Sequence, residues 1–309
     1  MKADPSDIVV FGTIDMDYVC FVDRFPDIGE TVTTSDFGQF PGGKAANQAV
    51  AAARLGSRVS LVGRVGEDET GRQLKAQMEA EGVNHDFVHY TPGWKTGISM
   101  IQVDRDGRNT VVTYPGASAR WTKEDIDRAE AKIRQAKYVI LQIEMDLEVA
   151  RHLIRTVRQA GVKLILNLAP VVALDPESLS MVDILIVNET ESSQLTGMTV
   201  HSVETAHTAA QMLVERGVRQ VVITLGEAGA VVKDNALFVY APSRKVKAVD
   251  TTAAGDCFVA AAAHFLSKGE KLAEAVRMAA EVAALSVTKT GAQTSLPTYE
   301  EYIKWREEK

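Results

Sequence analysis

The chain has 309 residues, 46% of them apolar, and a formal net charge of −7. That is enough apolar material for one large α/β domain or two small ones; an acidic balance without long charge runs argues against a general binder of nucleic acid and leaves small anionic ligands open. No apolar run approaches the ~20 residues of a membrane span, and the N-terminal MKADPSDIVVFG lacks the apolar core of a secretory signal, so a cytoplasmic protein that meets neither membrane nor nucleic acid is expected.

The first element in chain order is DIVVFG, a β-branched run that ends on Gly12. A dinucleotide-binding turn would need two further glycines here, and VVFGTIDMDY supplies none, which disfavours a nicotinamide enzyme. About residues 15–40 the pattern changes to alternation without a helix, and the same happens about 96–116, where DRDGR reads as a hairpin turn. These two stretches predict a small antiparallel sheet inserted into the main pattern, serving as a lid, a structural edge or a dimer surface.

Between them lies GQFPGGKA, which fits a P-loop as far as its lysine. Ala45 then stands where a hydroxyl should hold magnesium, and a lid strand rather than a core strand precedes it, so the P-loop reading fails. PGGKAANQ offers something else: Gly42 and Gly43 let backbone approach a ligand, and Lys44 and Asn47 bring polar groups suited to sugar hydroxyls. An ordinary glycine turn before an alanine-rich helix accounts for the same residues.

RVSLVG, KYVILQI, VKLILNL, DILIVN and RQVVITL follow, each a continuous apolar run leading into a helix-like or loop segment. With the first run they predict a doubly wound α/β fold: a mostly parallel sheet flanked by helices, 1–309 forming one domain with the inserted lid. Ligands of such sheets gather beyond the carboxyl ends of the strands. There LIVNETES places Asn188 and Glu191 on one side of a helix turn, as magnesium and phosphate ligands or as a capping box. ITLGEAG, with Thr224, Gly226 and Gly229, forms a turn open enough for a base or a triphosphate.

VDTTAAGDCFV comes last and is the most pointed. Phe258, Ala261, Ala262 and Phe265 recur at helical spacing, so Asp256 falls in a first turn preceded by small residues, where free amides and the helix dipole admit an anion. Asp256 could also be no more than a charge well placed against the dipole. The two cysteines, Cys20 and Cys257, form no metal pattern, and His201 and His207 read as solvated surface.

PGGKAANQAVAAARLG, NETE, ITLGEAG and VDTTAAGDCF, in this order and spacing, resemble the PfkB-type carbohydrate kinases, and within them most closely the ribokinases, from about Ile8 to Pro297. The resemblance implies a ribokinase-like fold and an ATP-dependent kinase that phosphorylates a primary sugar hydroxyl, O5 of ribose first, with another pentose, a ketohexose or a nucleoside as alternatives. A sensor that kept the fold and lost catalysis is the reading from another class. By resemblance, Asp256 is the general base and the amides of Ala253, Ala254 and Gly255 form the anion hole, with Gly255 also at the ATP phosphates. The sugar contacts fall on Asp15, Asp17, Gly43, Lys44, Asn47, Glu144 and Asp256.

Mg-ATP would be held by Asn188, Glu191, Thr224, Gly226 and Gly229, the magnesium through water. An activating potassium ion would be held by Asp250, Thr252, Ser286, Lys289, Gly291 and Ser295, mostly by carbonyls. Ribokinases often pair through their lids, which implies a homodimer here. Two positions depart from the pattern: Ala253 stands where the family carries glycine, and Asp15 where ribokinases carry asparagine. A carboxylate cannot donate a hydrogen bond as an amide can, so acceptor choice turns on Asp15.

Overall fold

The protein is described by a computed structural model covering residues 7–308. The chain starts with β1 (Ile8–Phe11), leaves the core for β2 (Asp15–Phe21) and β3 (Asp36–Gly42), and returns through α1 (Lys44–Arg54), β4 (Val59–Gly66), α2 (Glu69–Ala80) and β5 (Asn84–Thr91). A second excursion makes β6 (Gly97–Val103) and β7 (Asn109–Tyr114). Then come α3 (Lys123–Ile133), β8 (Tyr138–Gln142), α4 (Leu147–Gln159), β9 (Lys163–Asn167), α5 (Pro176–Ser180), β10 (Ile184–Asn188), α6 (Glu189–Thr196), α7 (Val203–Glu215) and β11 (Gln220–Thr224). The hairpin β12 (Ala230–Lys233) and β13 (Phe238–Ala241) precedes α8 (Ala254–Ser267), α9 (Leu272–Ser286) and α10 (Tyr299–Glu307). Among the described residues no helix is long and apolar enough to cross a membrane.

Nine strands form the main sheet in the order β13-β12-β11-β10-β9-β8-β1-β4-β5. It is parallel from β5 to β11, and the closing hairpin adds two antiparallel strands at one edge. The continuous apolar runs follow from burial on both faces: Ile8 and Val10 point into one core with α1, α2, α8, α9 and α10, while Val9 and Phe11 point into the other with α3, α4 and α7. From β1 the chain first builds outward through β4 and β5, then restarts on the other side of β1 with β8. The switch point therefore lies between the ends of β1 and β8, where such sheets open a crevice for ligands.

The lid is a second sheet, ordered β3-β2-β6-β7. Its outer pairs, β2 with β3 and β6 with β7, are antiparallel as expected. The central pair, β2 with β6, is parallel, which the sequence did not reveal. Both strands set out from the same carboxyl edge of the main sheet, after β1 and after β5, and so run the same way. One face of the lid, with Val19, Phe21 and Ile101, closes a cleft of about 640 Å³ against residues 248–252 and 290–292.

Candidate active site

The two helices that reach the cleft start differently from their neighbours. Asp68, Asp146 and Ser202 cap α2, α4 and α7 with side-chain hydrogen bonds. No side chain caps α1, which starts after Gly43 at φ 87°, or α8, which starts after Ala253 at φ 58°. Only a glycine fits at position 43, because a Cβ there would stand 2.6 Å from the Thr13 carbonyl oxygen. Ala253 holds the left-handed backbone despite its Cβ, at a cost of about 1–2 kcal/mol. The family's glycine would carry no such strain.

At the start of α8 the Ala254 amide donates to the Thr251 carbonyl at 3.2 Å. The expected anion hole is therefore narrower by one donor in this conformation, because the turn takes up the Ala254 amide. Asp256 follows in the first turn, and its carboxylate is gripped from α1: Asn47 Nδ2 donates to Oδ2 at 3.1 Å and Gln48 Nε2 to Oδ1 at 2.9 Å. Burial pushes the carboxyl up, the two amides and Lys44 pull it back, and the balance lies at about 6.

At the switch point, Lys44 forms an ion pair with Glu144, whose other oxygen accepts from the Thr13 hydroxyl at 2.7 Å. Asp15 is buried, and the Ser118 hydroxyl lies 2.9 Å from its Oδ1. A Cβ on Gly97 would overlap the Asp15 carboxylate, and one on Gly42 would overlap that of Asp17, so two glycines make room for two acids. Burial raises Asp15 to about 7 despite Ser118, with Glu144 and Asp17 adding to the rise. It raises Asp17 to about 6 against the opposing pull of Ser99 and Lys44. Burial alone would lower Lys44, but Glu144, Asp256 and Asp15 hold it above its ordinary value. One ammonium thus serves four carboxylates, and all six expected sugar contacts outside α8 meet around the switch point.

Asn188 and Thr224 end neighbouring parallel strands in register. Asn188 and Glu191 do form the capping box: Glu191 N donates to Asn188 Oδ1 at 2.8 Å, and Asn188 N to Glu191 Oε2 at 2.9 Å. This leaves Glu191 Oε1 as a free-facing acceptor, and burial raises the Glu191 pKa. Gly226 has open space where a side chain would be, as a ligand turn needs. Gly229 is fixed for a packing reason, since a Cβ there would collide with the Ala241–Ser243 backbone.

In the expected cation loop, Asp250 accepts from Thr252 N at 2.9 Å, from the Thr252 hydroxyl at 2.6 Å and from Gly291 N at 2.8 Å. Burial would raise its pKa, but these bonds outweigh it and hold the carboxyl below its ordinary value. The Val287 carbonyl accepts from Val249 and Asp250, and the Ser286 carbonyl from Lys289, so these segments lie together. The Lys289 ammonium turns away to Glu301, and Ser295 Oγ bonds back to the Ala292 carbonyl.

Sequence reasoning passed over Thr13, Ser118 and Gln48. Gln48 carries no mark in the sequence, because its complete burial in α1 shows only once the helix is packed.

An uncapped helix start carrying a carboxylate, above a lidded cleft at the switch point, defines the class as a phosphotransferase acting on a small alcohol. The model of the pfkB family carbohydrate kinases matches residues 5–299. The chain is 36% identical over 300 residues to a ribokinase of Haemophilus influenzae, which covers 97% of this chain and 98% of that protein. It is 35% identical over 300 residues to a deoxyribokinase of Salmonella typhi, with the same shares of the two chains. The structure of Arabidopsis thaliana ribokinase complexed with ribose and ATP superposes with a TM-score of 0.90 at 31% identity, covering 99% of this chain and 100% of that one. The chain belongs to the pfkB family of carbohydrate kinases.

The raised pKa of Asp15 has a consequence for stability. The folded protein holds this proton up to about pH 7, whereas the unfolded chain releases it near 4, so the group's destabilising contribution grows as pH rises through that window. Asp15→Asn is expected to stabilise the ligand-free protein by on the order of 2 kcal/mol more at pH 8 than at pH 5, measured by urea unfolding at both pH values. An equal gain at the two would contradict the shift.

Proposed function

We propose that the chain transfers the γ-phosphoryl group of ATP to the primary hydroxyl of a pentose, with ribose as the acceptor and ribose 5-phosphate and ADP as products. The observation that carries this reading is the Asp256 carboxylate, held by two amides at the uncapped start of α8 and facing the Lys44–Glu144 pair. The acceptor hydroxyl gives its proton to Asp256 as its oxygen attacks phosphorus. Charge on the transferring group is met by the helix start and the Gly255 and Ala253 amides. Asp15, Asp17, Lys44, Asn47 and Glu144 bind and orient the sugar, and the lid keeps water from competing as acceptor.

The Asn188–Glu191 cap fits a magnesium ion held through water, because it leaves one carboxylate oxygen outward, and the ion supplies charge neutralisation on the phosphates. Gly226, Gly229 and Thr224 form the nucleotide turn. Among the described residues no cluster of three His, Cys, Asp or Glu side chains could hold a metal. The monovalent ion would accordingly rest on oxygens of the Asp250, Thr252, Ser286, Lys289, Gly291 and Ser295 segment, a donor set suited to potassium. Its part would be to order the loop that leads into α8.

Deoxyribose is the second reading of the acceptor, on two observations. Asp15 already shares its Oδ1 with Ser118, and the Salmonella typhi relative named a deoxyribokinase is as similar as the ribokinases. A panel of ribose, deoxyribose, fructose and a nucleoside, assayed for kcat/KM in potassium and in sodium salts, is expected to rank ribose first and potassium above sodium. A tenfold preference for another acceptor would replace ribose, and equal rates in the two salts would remove the cation site.

The base has its own test. Asp256→Asn is expected to lower kcat by about 10²- to 10⁴-fold while sugar and ATP binding stay within a few-fold. In the wild type the acidic groups at the site place the fall of kcat/KM near pH 6 to 7, so activity is lost as pH drops through that range. Near-normal turnover of the variant would refute the assignment.

We also propose that two copies pair through the lids. On the face away from the cleft, Phe37 (51% exposed), Met100 (51%) and Val112 (63%) form an apolar patch across three strands. Sedimentation is expected to give twice the chain mass, and Met100→Lys with Val112→Lys to halve it; a monomeric wild type would overturn the proposal.

A further inference from the structure

The carboxylate of Asp256 stands at the end of two chains of buried amides, one to each oxygen. On one side Gln142 Nε2 donates to Gln48 Oε1, and Gln48 Nε2 donates onward to Asp256 Oδ1. On the other, Gln293 Nε2 donates to Asn47 Oδ1 at 3.3 Å, and Asn47 Nδ2 donates to Asp256 Oδ2. Gln48 and Gln142 are completely buried, and Asn47 and Gln293 nearly so. The first amides of the two chains, Gln142 and Gln293, have buried oxygens with no hydrogen bond to the protein. Along each of these two chains, donation runs toward the carboxylate.

Gln48 is held more firmly than Asn47. Its nitrogen has two acceptors, Asp256 Oδ1 and Asn167 Oδ1 at 3.1 Å, and its oxygen has one donor, Gln142. A flipped amide would set its oxygen against two acceptors and its nitrogen against a donor, so only one orientation is satisfied. Asn167 is fixed in turn by donating to the Ile186 carbonyl at 3.3 Å. Gln142 and Asn167 are the last residues of β8 and β9, so the rigid sheet aims Gln48. The oxygen of Gln142 fills the space where a Cβ on Gly12 would lie, which accounts for the glycine that follows the first strand. Burying so many amides is tolerated only where each donor finds an acceptor, and here the final acceptor is the reacting carboxylate.

We propose that Gln48, aimed by Gln142 and Asn167, is a positioning residue that fixes the direction of the Asp256 carboxylate and keeps it in its proton-accepting form. Orientation of the base sets the rate of proton transfer, and sugar binding does not depend on it, so the effect falls on kcat. The charged groups that act on Asp256 from other elements are Lys44 and Glu144, and neither touches Gln48. The inference rests on Asp256 being the base.

The test uses the full chain with ribose and Mg-ATP, comparing Gln48→Met, Gln48→Glu and Gln142→Met with wild type across pH 5 to 9. Removing the Gln48 donor is expected to lower kcat by about 10- to 100-fold with KM for sugar within about threefold, and to move the acid side of the kcat profile up by about one pH unit. Gln48→Glu, of equal length but without the N–H, is expected to move it further. Gln142→Met touches neither Asp256 nor the sugar and is expected to shift it in the same direction by less. If Gln48→Met does not fold, Gln142→Met and Gln48→Glu decide.

Profiles that keep the wild-type acid side would overturn the proposal, whether or not kcat falls, because a loss without a shift marks a packing role. Asp256→Asn separates the two readings. If that variant turns over normally the base assignment itself fails; if it is inactive while the Gln48 and Gln142 profiles are unmoved, only the positioning role fails.

Discussion

The organising constraint is the gathering of Asp15, Asp17, Glu144 and Asp256 around a single ammonium, Lys44, at the edge of a low-dielectric core. Burial raises the pKa of Asp15, Asp17 and Asp256, like charge from Glu144 adds to the rise at Asp15 and Asp256, and hydrogen bonds and the lysine offset it only in part. Much of the local architecture follows. Gly42 and Gly97 lack side chains because carboxylates occupy that space. Ser118 and Thr13 are each placed to donate to an acid. Hydroxyls of a bound sugar, donating to the same acids, would offset that rise further.

A second theme is how the chain ends its helices at the cleft. Most other helices carry a side-chain cap, as Asp68, Asp146 and Ser202 do for theirs, but the starts of α1 and α8 are left to backbone in unusual conformations. A side-chain cap would occupy the amides that an anionic group needs. The turn ahead of α8 is braced instead from outside, by Asp250 reaching Thr252 and Gly291. Rigidity at that point comes from the Asp250 carboxylate, itself part of the cleft wall, which ties the two segments together.

How much of this was legible depended on where each residue's partners lie. The six core strands could be read because burial on both faces leaves an unbroken apolar run. β5, β12 and β13 could not, since NHDFVHYT carries edge-strand polarity and AVVK and FVYA are too short to show a period. The lid's two hairpin pairs were visible in local alternation, whereas the parallel join of β2 to β6 depends on where the main sheet releases each strand. Asp256 was marked by the small residues before it. Gln142 and Gln48 were not marked, because a glutamine on a strand end or a helix looks neutral until its partners, 94 residues apart in sequence, are brought together. Asn188 and Glu191 illustrate a different case: cap and ligand site are written with the same two residues, and the structure contains the cap.

The lid has no linker. β2 leaves three residues after β1 ends, and β3 runs to Gly42, one residue short of α1. Asp15 and Asp17 are thus lid residues, and Gly43 and Lys44 form the joint by which the lid attaches. Divergence within such a scaffold would not proceed by trading covers over a constant pocket: a lid exchanged between two relatives would carry Asp15 and Asp17, two of the seven proposed acceptor contacts, with it, and a change in the joint would move lid and pocket together. Lid shape and the proposed acceptor contacts are, in this chain, written in the same residues.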